Sequence, residues 1–127
     1  MLIRDRFSGD KMTILEVSKR YSIPIKVLKE YERWGLCNET KEVVGGWQYD
    51  QQDIKSLSMV MTLYDIGFTS KETKNYMKLL LQGKETREMR LEILNKHRKN
   101  MLDEIHFKQS QLDRLDYLKY KIEKNDR

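Results

Sequence analysis

The sequence predicts a mainly α-helical protein in which a small head with one β-hairpin precedes a single long helix. The 127 residues include one proline, with 39% apolar and 35% charged residues, which suits one small helical unit and excludes collagen-like, low-complexity and disulfide-framework classes. Apolar repeats closed by glycine or proline fill the first two thirds of the chain. After Gly83 neither residue occurs, so one uninterrupted helix is expected there.

The net charge and the cysteine content indicate which partners and which cellular compartment to expect. A formal charge of +5 permits an anionic partner without requiring one. The lone cysteine, Cys37, cannot form an internal disulfide, and no signal-peptide pattern begins the chain, so we expect a cytoplasmic protein. The apolar runs are only a few residues long, far below the roughly 18 that cross a bilayer, so we expect no membrane association.

The head begins with a predicted helix-turn-helix. Residues 1–11 have no apolar period and are predicted to be a flexible arm. Thr13 and Glu16 form a T-x-x-E capping box, which predicts a helix start. Pro24 suits the first turn of a second helix, in which apolar residues recur at helical spacing until Gly35.

A β-hairpin and two further helices are expected next. Residues 38–49 place β-branched and aromatic residues around a Gly-Gly pair, which indicates two short strands. A third helix is predicted to end at Gly67, and a second T-x-x-E box, Thr69 with Glu72, opens a fourth. Residues Tyr76 to Leu81 of this fourth helix can line an effector pocket, but their spacing favours core packing.

Residues 85–123 are predicted to form one helix of about 58 Å. With Leu91 at heptad position a, seven of the ten a and d positions are apolar. These seven dimerisation candidates are Leu91, Leu94, Met101, Ile105, Leu112, Leu115 and Ile122. A second copy of the chain is the simplest cover for this seam, although folding back on the small head stays open. The chain thus divides into an arm (1–11), a head (12–83) and a dimerisation helix (84–127).

The helix pair has two interpretations. Its second helix either enters the major groove of DNA, with Lys26, Lys29 and Arg33 on its exposed side, or belongs to an ordinary helical hairpin with a solvated basic face. The hairpin that follows favours the first interpretation, because it makes a winged arrangement that can lie along phosphates or in the minor groove. Trp47 fits DNA contact and packing equally well, whereas Tyr49 favours packing.

Four blocks of the chain, in this order, resemble the MerR-type transcriptional regulators. They are residues 12–17 (MTILEV), 27–36 (VLKEYERWGL), 49–54 (YDQQDI) and 65–69 (DIGFT). The family's second-helix block typically reads TLRYYERIGLL, which places Lys29 at its arginine, Tyr31 at its second tyrosine and Lys26 at the arginine before TL. The resemblance implies that these three contact DNA, and that Lys71 does so from a second wing at the start of the fourth helix.

The chain departs from the family pattern at two places. Glu30 replaces the first tyrosine, and because phosphate repels a carboxylate, Glu30 either turns away from DNA or weakens its binding. Family wings often read GYRxYS, and the two possible alignments put Trp47 or Gln48 where the arginine belongs. With that arginine missing, Lys41 is the cation that the hairpin can offer to DNA.

The resemblance implies a winged helix-turn-helix regulator with an antiparallel coiled-coil dimer that binds a near-palindromic promoter operator. Members of the family bend and untwist a promoter with an over-long spacer so that RNA polymerase can engage both of its elements. Two other functions stay open. One is a coiled-coil interaction module with weakened DNA binding, and the other is a ligand-sensing repressor with its pocket at the junction of head and coiled coil.

Patterns for catalysis and metal binding are lacking. The sequence has no Gly-rich phosphate loop or nucleophile motif, so we do not expect an enzyme. A sensor site for soft metals would draw on Cys37, His97 and His106, but the two histidines are nine residues apart and the cysteine lies in the head. We therefore predict no metal and no cofactor.

Overall fold

A computed structural model describes residues 11–36, 42–43 and 46–124, the pair 42–43 by backbone alone. The elements in chain order are α1 (Ile14–Tyr21), α2 (Ile25–Trp34), β1 (Glu42–Val43), β2 (Gly46–Trp47), α3 (Gln51–Asp65), α4 (Ser70–Gln82), a 3-10 turn (Lys84–Thr86) and α5 (Arg87–Glu123). The chain forms two compact units that meet between Gln82 and Gly83. This confirms the predicted mainly helical fold with a hairpin and a long final helix. Most of the predicted arm, together with Cys37 and Lys41, lies outside the described residues.

Reciprocal capping fixes where the head helices begin. Thr13 and Glu16 form the predicted box, with the Glu16 amide donating to Thr13 Oγ1 at 3.3 Å and the Thr13 amide donating to Glu16 Oε1 at 2.8 Å. Thr69 and Glu72 form the second predicted box before α4. A third box, which the sequence analysis did not use, joins Asp50 to Asp53 at the start of α3, with both hydrogen bonds at 3.0 Å.

The turn between α1 and α2 is tight. Ser22 ends α1 with a φ of 57°, a left-handed conformation that a short polar side chain tolerates better than a branched one. Ile23 is buried in the core, and Pro24 precedes α2 with a φ of −58°, the value its ring imposes. The predicted helix-turn-helix is therefore present.

One apolar core joins α1, α2, the hairpin and the start of α3. Its buried members are Met12, Val17, Ile23, Leu28, Tyr31, Tyr49 and Leu57. Burying a side chain such as Leu28 contributes about 1.5–3 kcal/mol. Met12 and Tyr49 form an antiparallel bridge with two 2.8 Å backbone hydrogen bonds, which closes the helix-turn-helix and hairpin into one unit.

The hairpin and α4 complete the head. Strands β1 and β2 pair antiparallel, with Glu42 opposite Trp47 and Val43 opposite Gly46. Helix α4 buries Tyr76 and Met77, and the Tyr76 ring packs edge-on against Phe68 at 6.2 Å between centroids. The core interpretation of the fourth helix is confirmed at these buried positions.

Helix α5 has 37 residues and a length of about 55 Å. It starts two residues later than the predicted residue 85, because Lys84–Thr86 forms a 3-10 turn in which Thr86 Oγ1 donates to the Gly83 carbonyl at 2.8 Å. None of its residues is buried in the single chain, and Leu94 is the half-buried member of the seven seam candidates. No helix among the described residues is long and apolar enough to cross a membrane.

Candidate nucleic-acid interface

Helix α2 separates an apolar face from a basic one. Leu28 and Tyr31 are buried three residues apart, so they lie on the same side of the helix. Lys26, Lys29 and Arg33 are exposed, and their spacings of three and four residues place them together on another side. The three predicted cations of α2 therefore share one solvent-facing surface, which we call the basic face.

Tyr31 does not lie at the surface. It is 4% exposed, and its hydroxyl donates to Asp53 Oδ1 at 2.7 Å. Asp53 is 2% exposed and also accepts the Asp50 amide through Oδ2 at 3.0 Å. The expected DNA contact by Tyr31 does not fit this position, because the phenol lies on the core side of α2 and its hydroxyl is used by a buried carboxylate. Tyr31 instead holds α2 against the first turn of α3.

Tyr49 joins the base of the wing to α2. Its side chain is fully buried, as the sequence favoured, and its hydroxyl donates to Glu32 Oε2 and lies 3.5 Å from the Leu28 carbonyl oxygen. Burial, reinforced by the neighbouring Glu32 carboxylate, raises the pKa of the Tyr49 hydroxyl well above its usual range. The hydroxyl therefore remains protonated and a hydrogen-bond donor even at alkaline pH, where a free tyrosine ionises.

Glu30 takes the first of its two predicted alternatives and turns away from the basic face. Its Oε1 accepts the Tyr64 hydroxyl of α3 at 2.8 Å, and its Oε2 accepts the Ser70 hydroxyl of α4 at 3.2 Å. Burial and the Glu30 carboxylate raise the pKa of Tyr64, against an opposing effect of Ser70. No pattern in the sequence predicted this contact.

The three predicted DNA contacts of the wing are Trp47, Gln48 and Lys41. Trp47 is half-buried against the core, with its ring centroid 6.0 Å from that of Tyr49, so the packing interpretation describes it in the free protein. Its indole N–H is buried without a hydrogen-bond partner in the described part of the chain. Gln48 is half-buried, and Lys41 lies outside the described residues. The DNA contacts assigned to these three residues stay predictions.

Two further cations lie outside α2, one in α4 and one in α1. Lys71 is exposed in the first turn of α4, beside the Thr69 and Glu72 box. Arg20 is a further exposed cation, in the last turn of α1, with its guanidinium 5.7 Å from the Tyr21 ring centroid.

The start of α2 offers backbone donors as well as cations. Its N-cap residue is Pro24, and no side chain among the described residues caps this terminus. A helix N-terminus favours anions through its free N–H groups and its dipole. No group of three or more His, Cys, Asp or Glu suited to a metal occurs within the described residues.

These features define a winged helix-turn-helix head of the kind that regulators of transcription use. A family model described as "MerR HTH family regulatory protein" matches residues 12–80, and the chain belongs to this MerR family.

Relatives and solved structures agree with this assignment. The HTH-type transcriptional regulator AdhR of Bacillus subtilis (strain 168) is 29% identical over 93 residues, covering 72% of this chain and 66% of AdhR, just under two thirds of its length. An HTH-type regulator of Haemophilus influenzae is 26% identical over 106 residues, covering 83% of this chain and 78% of that protein.

Two crystal structures show the same fold. One is HiNmlR, described as a MerR family regulator lacking the sensor domain, bound to promoter DNA, with a TM-score of 0.61, 24% identity, and coverage of 90% of this chain and 91% of that one. The other is a putative MerR family regulator from Listeria monocytogenes, with a TM-score of 0.64, 25% identity, and coverage of 88% and 86%.

Proposed function

We propose that the protein is a sequence-specific transcriptional regulator that binds a near-palindromic promoter operator as a homodimer. The observation that carries this proposal is the basic face of α2. Tyr31 fastens the opposite side of α2 to the buried Asp53 of α3, and Tyr49 donates to the half-buried Glu32 of α2. Lys26, Lys29 and Arg33 are left together in solvent. A rigid helix with one basic face is what insertion into the major groove requires.

Phosphate contacts supply much of the affinity in this proposal. Lys26, Lys29 and Arg33 act from α2, Lys71 acts from α4, and the uncapped α2 N-terminus adds backbone donors. Each phosphate contact lowers the slope of log affinity against log salt concentration by about 0.9. Four such cations therefore make the affinity for DNA fall steeply as the salt concentration rises. A protein that acts only through another protein should show no such specific, salt-dependent binding to DNA.

Dimerisation through α5 accounts for its exposed apolar residues. Six of the seven seam candidates are exposed in the single chain, so α5 leaves much apolar surface in water. A second copy, packed antiparallel along the seam, covers that surface and makes a two-fold symmetric molecule. Symmetric heads then require a near-palindromic site on the DNA.

Promoter distortion is the regulatory step in this proposal. The two heads of the dimer bend and untwist the operator so that RNA polymerase engages both promoter elements, as the family resemblance implies. Bending a site of this size costs on the order of 1–6 kcal/mol, which the phosphate contacts have to offset. The solved structure of HiNmlR, described as bound to promoter DNA, supports this class of partner. The alternative of an interaction module with weakened DNA binding relied on Glu30 and on the missing wing arginine. Because Glu30 is bonded to Tyr64 and Ser70, the first of these two reasons no longer applies.

A footprint tests the proposal. The purified protein is incubated with the DNA upstream of its own coding sequence and probed with a nuclease and with reagents that report distorted bases. We expect a symmetric protected site with a reactive centre, and its position relative to the promoter will indicate activation or repression. Lack of protection at low salt, from a protein that is dimeric by sedimentation, would instead favour an interaction module.

A further inference from the structure

Glu30 joins three helices of the head through one carboxylate. It lies on α2 and accepts one hydroxyl from α3, that of Tyr64 at 2.8 Å, and one from α4, that of Ser70 at 3.2 Å. Both of its oxygens are thereby used, and the side chain is half-buried. Hydrogen bonds to a charged acceptor are stronger than those between neutral groups, so this carboxylate is a firm link between helices.

The link reaches the part of α4 that carries a cation. Ser70 is the first residue of α4, and exposed Lys71 follows it directly. On the other side, Glu30 is next to Lys29 in α2. A single carboxylate therefore connects α2, which carries Lys29, to the start of α4, which carries Lys71. Both of its partners are neutral hydroxyl groups.

We propose that Glu30 is a positioning residue that holds the start of α4 at a fixed distance from α2, so that Lys71 and the basic face of α2 meet the DNA backbone in register. This inference rests on the proposed DNA-binding function. The inference explains how Glu30 can support DNA binding, although a carboxylate close to phosphate would otherwise only repel the DNA backbone. Contact geometry is sensitive to such support, because a cation displaced by about 1 Å no longer meets its phosphate at hydrogen-bond distance.

A double-mutant cycle between Glu30 and Lys71 tests this role. The affinity of the full-length protein for its footprinted operator is measured for wild type, Glu30→Ala, Lys71→Ala and the double variant, each over a salt series. If Glu30 positions Lys71, Lys71→Ala weakens binding at least about threefold in the wild-type background and less than about twofold in the Glu30→Ala background. The salt slope of Glu30→Ala also falls in magnitude by about 0.9, the value of one phosphate contact.

Glu30→Gln is the matched control. It removes the same negative charge as Glu30→Ala but keeps an oxygen that accepts the Tyr64 hydroxyl and an amide that can bond to Ser70 Oγ. We expect Glu30→Gln to keep the Lys71 effect and the full salt slope. If Glu30 acts only as a repelling charge, Gln and Ala raise the affinity equally and the Lys71 effect is the same in every background, which overturns the inference.

Amide hydrogen exchange in the free protein separates this inference from the proposed function. The Thr73 amide donates to the Thr69 carbonyl at 2.9 Å in the first turn of α4. Glu30→Ala should raise exchange there at least about threefold relative to Val17 in α1, and Glu30→Gln should not. Unchanged Thr73 exchange overturns the link itself. A wild-type protein without specific binding overturns the DNA-binding function, and additive effects in a protein that binds overturn the role of Glu30 alone.

Discussion

The Tyr31 hydroxyl donates to Asp53 Oδ1 at 2.7 Å inside the core, and this bond fastens α2 to the first turn of α3. Asp53 is also half of the capping box that starts α3. The packing of α2 and the start of α3 therefore share the same carboxylate.

Tyr31→Phe should destabilise the head by about 1–3 kcal/mol, because Asp53 loses a hydrogen-bond donor where it is buried. Urea unfolding followed by circular dichroism measures this. Tyr21→Phe is the control, since Tyr21 is exposed and its hydroxyl makes no hydrogen bond within the described part of the chain. An unchanged midpoint together with weaker operator binding would return Tyr31 to the list of DNA contacts.

Lys29→Ala should weaken operator binding several-fold and reduce the magnitude of the salt slope by about 0.9, with little change in melting temperature. The physical reason is that Lys29 is exposed on the basic face and supports no packing. Lys78→Ala removes another exposed lysine, which lies on α4 outside that face, and it should leave both quantities unchanged. Equal affinities of wild type and Lys29→Ala would remove Lys29 from the interface.

Ile105→Asp should dissociate the dimer, since it places a charge within the proposed seam. Sedimentation equilibrium measures the change. Phe107→Asp is the matched control, because both residues are exposed apolar side chains of α5, 51% and 60% exposed, but Phe107 lies at heptad position c, outside the seam. A dimeric Ile105→Asp protein, or equal dissociation by both variants, would contradict the seam.

Tyr49→Phe should flatten the loss of stability at alkaline pH. The folded state raises the pKa of Tyr49, so its stabilising contribution is complete below the ordinary tyrosine pKa of about 10 and is lost as the pH rises above it. Well above pH 10 this one group makes the free energy of unfolding fall by about 1.4 kcal/mol per pH unit.

Denaturant unfolding at pH 9, 10 and 11 checks this expectation. Lysine deprotonation affects wild type and variant alike, so the difference between their slopes reports Tyr49. Parallel curves for the two proteins would mean that the Tyr49 hydroxyl is not protected in the folded state.

Local signals were sufficient for the helices but not for the interface. Capping boxes and apolar spacing involve neighbours within one or two turns, and they located α1, α2 and α4. The spacing of Leu28 and Tyr31 already placed both on one side of α2, and the family motif alone assigned Tyr31 to DNA. At this position the helical spacing, which predicts burial, agrees with the structure better than the family motif, which predicts a DNA contact.

Contacts between distant residues were out of reach for the sequence. Glu30 meets partners 34 and 40 positions further along the chain, and no local pattern encodes which hydroxyl a carboxylate will find after the helices pack. The same limit applies to Tyr49 and Glu32, which are 17 residues apart. Periodicity predicts which side of a helix is buried, whereas partners across the core depend on the packed tertiary structure.

The bridge between Met12 and Tyr49 closes the helix-turn-helix and the hairpin into one loop of chain with fixed ends. Two backbone hydrogen bonds join Met12, before α1, to Tyr49, after β2, so the two ends of the segment that connects them are held together. Doubling the length of such a connection costs only about 0.6 kcal/mol. Evolution, or a protein engineer, can therefore lengthen or shorten this segment at a small cost in entropy while the bridge keeps the head closed.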